Sequence, residues 1–495
     1  MKIKKIIYIF VAIALFIVAG CADTDTDKEK EIDNGNEVDN NDDDDDNEND
    51  ENDNLISVRG VFFSRRSTTM DLSQELFLVY TVVPFDASNK DVIWSSSNPE
   101  IAEVGADGKI IALSLGTTTI TVTTKDGDFS DECQLTTVSS YWYVVADSST
   151  RSLIGAFWNS GNYFHRGANG VDNAFEYWPQ AHCLNAVISA YERTGDTFYR
   201  NYFDNWYTGV RSRNGNRFTN NYYDDMQWNA LAMLRVYNIT NDPRWLNEIN
   251  IVWADIKNGW TTQAGGGILW AKNNTYKSSV SNSPASILAS RLYQLGGNES
   301  DKTWAINIYN WVKATLYVSS TGAVQDGVTP PNTFDTRVFS YNTGTFLGAA
   351  VELYKITKDM TYINDAVRAA DYTINNLTDG GDRGVLSTWG TGDMGLVNGI
   401  FIHYLTELIL CDAISATNRA RYAEFVRYNA NSLWNRAAWK RAGQHTLFGG
   451  SWVYKPAHGL PNNDNGGGVS FKTQASGAML IEACALLEKN RLISR

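Results

Sequence analysis

A short motif of aromatic and acidic residues recurs along the carboxyl-terminal part of the chain and limits the folds it can adopt. Each clear copy has an aromatic residue, then Thr-x-Asp, then a second aromatic residue eight positions after the first. The pattern is typical of a tight turn between two helices, in which the Asp caps the second helix. The clear copies are YERTGDTFY (191–199), YNITNDPRW (237–245) and YKITKDMTY (354–362), and the looser ones are YQLGGNESDKTW (293–304) and AISATNRARY (413–422).

Long loops rich in Gly, Asn and Ser separate the copies of this motif, which return roughly every 45 to 60 residues. Short and long connections therefore alternate around twelve predicted helices. Antiparallel helices joined in this way place the short turns on one rim and the long loops on the other. We expect the simplest closed arrangement, an all-α (α/α)6 toroid. The predicted long loops are 163–176, 212–223, 258–280, 318–336, 379–395 and 435–469.

Six helices are predicted to begin on the rim that carries the long loops. Polar residues cluster at these helix starts, as a binding cleft requires. The rim is therefore where we expect a functional site. The six starts are EYWPQAH, YYDDMQWN, SVSNSPAS, RVFSYNTG, GLVNGIFI and FKTQASGA.

Two adjacent aspartates, Asp224 and Asp225, stand at one of these helix starts, in TNNYYDDMQWNALAML. Taken alone, an Asp in this position is most often a helix cap. The repeat favours catalysis, because the ordinary caps in TGD, TND and TKD lie on the opposite rim. A helix amino terminus would stabilise one ionised carboxylate, whose charge, together with burial, would raise the pKa of its neighbour. Glycoside hydrolysis needs such an unequal pair, one carboxyl ionised and the other able to donate a proton.

The amino-terminal sequence MKIKKIIYIFVAIALFIVAGC has three lysines, an apolar run and small residues that end at Cys21. It is typical of an export signal over residues 1–20, and VAGC resembles the lipobox of bacterial lipoproteins. We therefore expect Cys21 to be the lipidation site of an exported bacterial lipoprotein, on the outer membrane and facing the cell surface. Residues 21–54 contain seventeen Asp or Glu and two Lys, which predicts a disordered acidic tether, with calcium binding as the alternative.

The formal net charge of −14 belongs to this tether, and the remainder of the chain from residue 55 is nearly neutral. A nearly neutral body argues against nucleic acid and other polyanionic ligands, which call for basic surfaces. Aromatic residues make up 12% of the chain and include 16 Trp, which suits neutral sugars because their apolar faces stack on aromatic rings. The composition therefore favours a carbohydrate ligand, although aromatic residues also fill cores.

Residues 55–139 alternate apolar and polar residues in short runs that turn-rich segments separate, which predicts a small all-β sandwich. The stretch VVPFDASNKDVIWSSSNPEIAEVGADGKIIALSLGTTTITVTTKDG resembles the bacterial Ig-like (Big2) family, with Trp94 as a core residue. We expect this module to act as a spacer, with glycan binding as the alternative.

Cysteine and histidine spacing gives no sign of a metal site or a disulfide framework. Cys133, Cys183, Cys411 and Cys484 are scattered without a CxxC motif, and we expect them to be buried apolar residues. His182 and His403 lack zinc-ligand spacing and are expected to be structural. We predict no metal and no cofactor.

Residues 145–495 resemble glycoside hydrolase family 76, the α-1,6-mannanases. The likeness runs in order through EYWPQAHCLNAVISAYERTGD, NYYDDMQWNALAMLRVYNITND, SYNTGTFLGAAVELYKIT, GIFIHYLTEL and KTQASGAMLIEAC. It implies a retaining (α/α)6 enzyme without a metal, in which Asp224 is the nucleophile and Asp225 the general acid/base. The expected function is thus an endo-acting α-1,6-mannanase at the cell surface, a monomer that acts on α-mannan or manno-oligosaccharides.

Further site residues are expected from the helix starts and from the residues around the pair. Core packing or capping is the alternative for each of them. The alternatives for the whole chain are an (α/α)6 transglycosidase and a non-catalytic glycan-binding lipoprotein. The predicted sugar contacts are Tyr222, Tyr223, Trp228, Trp178, Trp270 and Asn342.

Overall fold

The computed structural model describes residues 55–493 except 73, 171, 441–442 and 457–467. The predicted signal peptide (1–20), the lipidation site Cys21 and the acidic tether (21–54) lie outside the described residues. Part of the predicted loop 435–469 lies outside them as well.

Nine short strands form the amino-terminal β-rich module. Their alternation buries one face of each strand; in GTTTITVTT, for example, Ile120 and Val122 are fully buried while Thr117 faces solvent. Trp94 packs on this core against Phe63 and Tyr80, as predicted. The sheets have the orders β1-β4, β2-β9-β8-β5 and β3-β7-β6. The strands are β1 (Gly60–Phe63), β2 (Ser67–Asp71), β3 (Glu75–Phe77), β4 (Tyr80–Val83), β5 (Val92–Ser96), β6 (Ala102–Val104), β7 (Lys109–Ala112), β8 (Gly116–Thr124) and β9 (Ser130–Val138).

Twelve α-helices follow in the described part of the chain, and the connections between them alternate in length as the sequence predicts. The helices are α1 (Tyr141–Phe157), α2 (Pro179–Thr194), α3 (Thr197–Arg213), α4 (Tyr223–Thr240), α5 (Pro243–Lys257), α6 (Ser283–Gly296), α7 (Glu299–Thr315), α8 (Ser340–Thr357), α9 (Met360–Asn376), α10 (Val397–Leu410), α11 (Ala416–Ser432) and α12 (Phe471–Lys489). Short strands lie in two of the long loops: β10 (Lys277–Ser278), β11 (Tyr317–Val318), β12 (Ala323–Val324), β13 (Gly327–Thr329) and β14 (Thr333–Asp335).

The recurring motif forms the short turns, as expected from the sequence. In the first copy Gly195 ends α2 in the left-handed conformation, and Asp196 accepts the backbone N–H of Phe198 at 2.8 Å. Asp242 and Asp359 cap α5 and α9 in the same way, at 3.0 and 2.8 Å. Each cap satisfies a backbone donor that the first turn of a helix leaves unpaired. These turns fold each pair of helices back on itself.

The even-numbered helices form a closed inner ring, since each of α2, α4, α6, α8, α10 and α12 contacts the next and α12 returns to α2. Nearly every residue of α12 is buried, whereas α3 and α5 bury a single face, as outer helices do. The chain therefore folds as the predicted toroid, with all inner helices beginning on the long-loop rim. No helix among the described residues has the length and hydropathy needed to cross a membrane.

Four cysteines, Cys133, Cys183, Cys411 and Cys484, are buried free thiols in the structure. Cys133 lies in the core of the β-rich module, and the other three lie in the helical core. They pack as small apolar side chains, as expected.

Buried ion pairs tie the inner helices together on the side opposite the long loops. Arg291 of α6 binds Glu352 of α8 at 3.0 Å and Glu407 of α10 at 2.7 Å. Arg193 of α2 binds Glu482 of α12 at 2.9 Å. Charges in such an interior are stable only when paired, so these contacts fix the order of neighbouring helices.

Replacing Arg291 should destabilise the toroid by leaving Glu352 and Glu407 without their shared cation. Arg291→Ala is expected to lower the free energy of unfolding by about 3 kcal/mol, measured by urea unfolding followed by helical circular dichroism. Arg244→Ala removes exposed ion pairs with Asp204 and Asp242 and should cost less than about 1 kcal/mol. Equal losses of unfolding free energy in Arg291→Ala and Arg244→Ala would contradict the structural role of the buried ion pairs.

Candidate active site

An open cleft of about 640 Å³ lies on the rim where the inner helices begin. The long loops, the residues just before α2 and the amino-terminal parts of α4, α8 and α12 supply its walls. Four of the predicted site aromatics and both aspartates meet here. The lining residues are Glu176, Trp178, Tyr222, Asp224, Asp225, Trp228, Trp270, Tyr341, Gly392, Asp393, Met394 and Lys472.

Asp224 and Asp225 are the second and third residues of α4, on the floor of this cleft. The backbone N–H of Tyr223 donates to the Trp270 carbonyl at 2.9 Å, which fixes the start of the helix to the loop beside it. Asp224 accepts the backbone N–H of Asp225 and the indole N–H of Trp270, both at 3.1 Å. The pair is therefore not an N-cap, a position that Tyr222 occupies without a side-chain hydrogen bond.

The pKa values of both carboxyl groups are raised. Burial raises the pKa of Asp224 to about 7, against the hydrogen bonds from Asp225 and Trp270 that favour its ionised form. Burial together with the charges of Asp224 and Asp393 raises the pKa of Asp225 well above the ordinary value. The expected order of the two pKa values stays a prediction. Burial outweighs the helix amino terminus, however, so the pKa of Asp224 is raised as well.

A third carboxylate, Asp393, faces the pair from the loop before α10. It accepts the Trp178 indole N–H at 3.2 Å and pairs with the Lys472 ammonium at 2.9 Å. Lys472 is almost fully buried and also binds Glu176 at 2.5 Å. Burial lowers the pKa of Lys472, but the two carboxylates more than offset this and raise it. The cleft thus holds one buried cation among four acidic side chains.

Glu176, Asp393 and Lys472 were absent from the predicted site residues, although the sequence carried a signal for each. Glu176 and Lys472 belong to the helix starts EYWPQAH and FKTQASGA, and Asp393 ends a long loop on the same rim. A charged residue at a helix start or loop end of this rim is therefore the sequence signal that identifies each of them.

Two predicted sugar contacts, Tyr223 and Asn342, lie outside the cleft lining. Tyr223 is buried, and its ring packs so closely on Gly259 that a Cβ there would lie 2.7 Å from it. Asn342 is fully buried; it accepts the Phe339 N–H at 2.6 Å and donates to Asp326 at 3.0 Å. Asn342 therefore caps α8, the alternative left open by the sequence.

The neighbouring Tyr341 lines the cleft in place of Asn342. Its hydroxyl donates to Asp326 at 3.4 Å, and burial together with the charges of Asp326 and Asp224 raises its pKa. Tyr341 therefore stays protonated and offers a neutral phenol beside the aspartate pair. Tyr222, Trp178, Trp228 and Trp270 line the cleft as expected.

His182 lies beneath the cleft, between Trp178 and Trp228, with ring centroids 5.5 and 5.0 Å away. Burial lowers its pKa to about 3, so it is neutral and supports the two indoles as an aromatic residue. His403 lies 3.4 Å from Glu407 in the interior. Within the described ranges, no group of three or more His, Cys, Asp and Glu is arranged to hold a metal ion.

Comparison with known families and structures shows which family the chain belongs to. The model of glycosyl hydrolase family 76 matches residues 141–493, and that of the bacterial Ig-like domain, group 2, matches residues 57–135. The chain belongs to glycosyl hydrolase family 76. It is a glycoside hydrolase with an Ig-like module before its family 76 domain.

Several solved structures share the family 76 fold. The GH76A α-1,6-mannanase of Salegentibacter sp. HEL1_6 is 34% identical, with a TM-score of 0.65 over 70% of this chain and 99% of that one. The Lin0763 protein from Listeria innocua is 30% identical, with a TM-score of 0.63 over 70% of this chain and 97% of that one.

Matches to curated relatives cover shorter stretches. Mannan endo-1,6-alpha-mannosidase DCW1 of Candida albicans is 29% identical over 162 residues, or 29% of this chain. The chain spans well under two thirds of such relatives, with 36% of the Candida protein matched and 21% of a Clostridium acetobutylicum protein that is 39% identical over 82 residues.

Removing the indole N–H donor of Trp270 should change the pKa of Asp224. Trp270→Phe keeps an aromatic ring but loses the N–H that favours ionised Asp224, so the pKa of Asp224 is expected to rise. The acidic limb of the pH dependence of kcat/KM for hydrolysis should then move to higher pH.

Trp253→Phe is the matched control, because it also removes an indole–carboxylate bond, to Asp301 at 2.9 Å, but outside the cleft. It should leave the pH profile unchanged. If the acidic limb of the pH profile of Trp270→Phe stayed at the parental pH, the indole N–H of Trp270 would not control the pKa of Asp224.

Proposed function

We propose that this glycoside hydrolase is a retaining, endo-acting α-1,6-mannanase. The observation that carries the proposal is the pair Asp224 and Asp225, adjacent on the cleft floor with raised pKa values. With a pKa of about 7, Asp224 is ionised in a large fraction of molecules near neutral pH, and the raised pKa of Asp225 favours its protonated form. Double displacement requires this combination of acid and nucleophile.

The structural relatives support the α-1,6-mannan specificity. The Salegentibacter α-1,6-mannanase has been solved as an inactive variant, with two consecutive aspartates replaced by asparagine, in complex with α-1,6-mannotriose. A variant with two consecutive aspartates replaced by alanine binds α-1,6-mannotetrose. This chain carries consecutive aspartates in a cleft of the same fold, which supports assigning the same substrate class to it.

In the first step of the proposed reaction, Asp224 attacks the anomeric carbon of a mannosyl unit. The bond from that carbon to the leaving sugar breaks as Asp225 gives its proton to the departing oxygen. In the second step Asp225, now a carboxylate, takes a proton from water. The water oxygen bonds to the anomeric carbon while the bond to Asp224 breaks, and two inversions restore the α configuration.

The open shape of the cleft and its aromatic walls support binding along a chain rather than at its end. Trp178, Trp270 and Tyr222 offer rings on which sugar faces can stack. The Lys472–Asp393–Glu176 cluster supplies charged acceptors and a buried donor beside the pair. The proposed mode is internal cleavage of an unbranched α-1,6-mannan backbone.

Azide tests the two carboxyl roles separately. Asp224→Ala and Asp225→Ala should each lose roughly 10³-fold or more of kcat on α-1,6-mannan. With an aryl α-mannoside that needs no acid, azide should restore turnover in both variants. The Asp225 variant should form the α-mannosyl azide through the glycosyl-enzyme, and the Asp224 variant the β-azide by direct displacement.

Proton NMR distinguishes the two azide products. If the Asp225 variant gave the β-azide and the Asp224 variant the α-azide, Asp225 would be the nucleophile and Asp224 the general acid/base. Asp412→Ala is the matched control, since Asp412 is exposed on the rim of short turns. It should keep parental activity. Full activity in either cleft variant would contradict the catalytic pair.

The cell-surface location is a separate proposal that rests on VAGC and its cysteine, Cys21. Acylation of this cysteine would anchor the enzyme, and residues 21–54 would separate it from the membrane. Cys21→Ala should abolish incorporation of labelled palmitate and move the protein from the membrane fraction to the soluble fraction of cells. Unchanged palmitate labelling in this variant would contradict the assignment of the acylated residue.

A further inference from the structure

Two tryptophans, Trp260 and Trp304, form a second aromatic site on the outer wall of the toroid. This Trp260–Trp304 site has a volume of about 330 Å³ and shares no residue with the cleft. Its other lining residues are Ser300, Thr303 and Asn307, in the first three turns of α7. We propose that it is a non-catalytic binding site for a neutral mannan chain, an inference that rests on the function proposed above.

The tryptophan rings are held in fixed orientations. Trp304 meets Trp260 edge-on, with centroids 5.7 Å apart, and also meets Trp253 edge-on, at 6.3 Å. Trp253 is buried and donates its indole N–H to Asp301 at 2.9 Å. The partly exposed Trp304 ring is thus braced by a buried one, so little side-chain entropy is lost when a sugar binds.

The loop that carries Trp260 is also anchored. The buried ammonium of Lys277 donates to the carbonyls of Thr261, at 3.1 Å, and Gln263, at 2.5 Å. Gly266 packs beneath the ring of Trp260, where a Cβ would lie 2.6 Å from the indole. These contacts hold the Trp260 ring in place.

The chemistry of the lining favours a neutral sugar. All five side chains are uncharged, and Ser300, Thr303 and Asn307 expose hydroxyl and amide groups beside the indole faces. Aromatic rings bind the apolar face of a hexose, while hydroxyls and amides bind its polar edge. The volume lies at the lower end of the range of about 300–1,000 Å³ for small-ligand sites.

A protein partner is a poorer fit, because a stable protein interface takes roughly 20–30 residues on each side and this site has five. The position instead suits a polymeric substrate. The backbone of Trp260 forms an antiparallel β-bridge with that of Ile268, and the same loop continues to Trp270 in the cleft. A mannan chain held at this site would therefore remain attached to the enzyme close to the loop that forms one cleft wall.

Two substitutions on α7 test this proposal in the full-length protein. Asn307→Arg fills the site with a charged side chain, whereas Asn310→Arg places the same change at an exposed position outside it. The measurement is kcat/KM on long unbranched α-1,6-mannan and on α-1,6-mannotetraose. Asn307→Arg should lower the ratio of polymer to tetraose activity roughly fivefold, and Asn310→Arg should leave it unchanged.

Trp304→Ala, checked by circular dichroism for an intact fold, should lower the ratio at least as much as Asn307→Arg. A ratio equal to that of the parent in both site variants would overturn the mannan site while leaving the proposed function in place. A parent enzyme that cleaves neither substrate would instead overturn the proposed function, and the mannan site with it.

Discussion

Helix direction is the constraint on which the rest of this structure depends. Four of the short turns combine a left-handed residue with an Asp or Asn cap, and the turn between α10 and α11 combines an extended Cys411 with a Ser cap. Each of them reverses the chain so that the following helix runs antiparallel. Five helix pairs are joined by such turns, and α1 packs beside α12 to complete the ring. Every inner helix therefore begins on the same rim. The long loops, the helix amino termini and the cleft therefore lie together because of the turns on the far side.

The electrostatics of the cleft follow from this placement. A carboxylate in the first turn of a helix is ordinarily stabilised, yet the pKa values of Asp224 and Asp225 both rise because the ring buries them. Two nearby groups act in opposite directions: the Trp270 N–H favours ionised Asp224, and the charge of Asp393 disfavours it. Lys472 pairs with Asp393 and Glu176, so the added negative charge is partly balanced inside the cleft.

Much of the fold was predictable because its signals are local: the turn motif, the loop lengths and the helix starts are each contained in a few residues. The site was only partly predictable, because which side of a helix start faces the cleft depends on packing around the whole ring. Tyr341 and Asn342 are neighbours, but the first lines the cleft and the second is buried as a cap. Asp393 meets Trp178 across 215 residues of sequence, a contact that no local pattern encodes.

In the proposed mechanism Asp224 forms a covalent bond to the substrate during turnover. Trapping this intermediate with an activated fluorinated mannosyl fluoride, followed by peptide mass spectrometry of the inactivated protein, identifies the residue that carries the sugar. We expect a single fluoromannosyl adduct on Asp224, removed slowly by water with return of activity. An adduct on Asp225 or Asp393, or inactivation without any adduct, would contradict it.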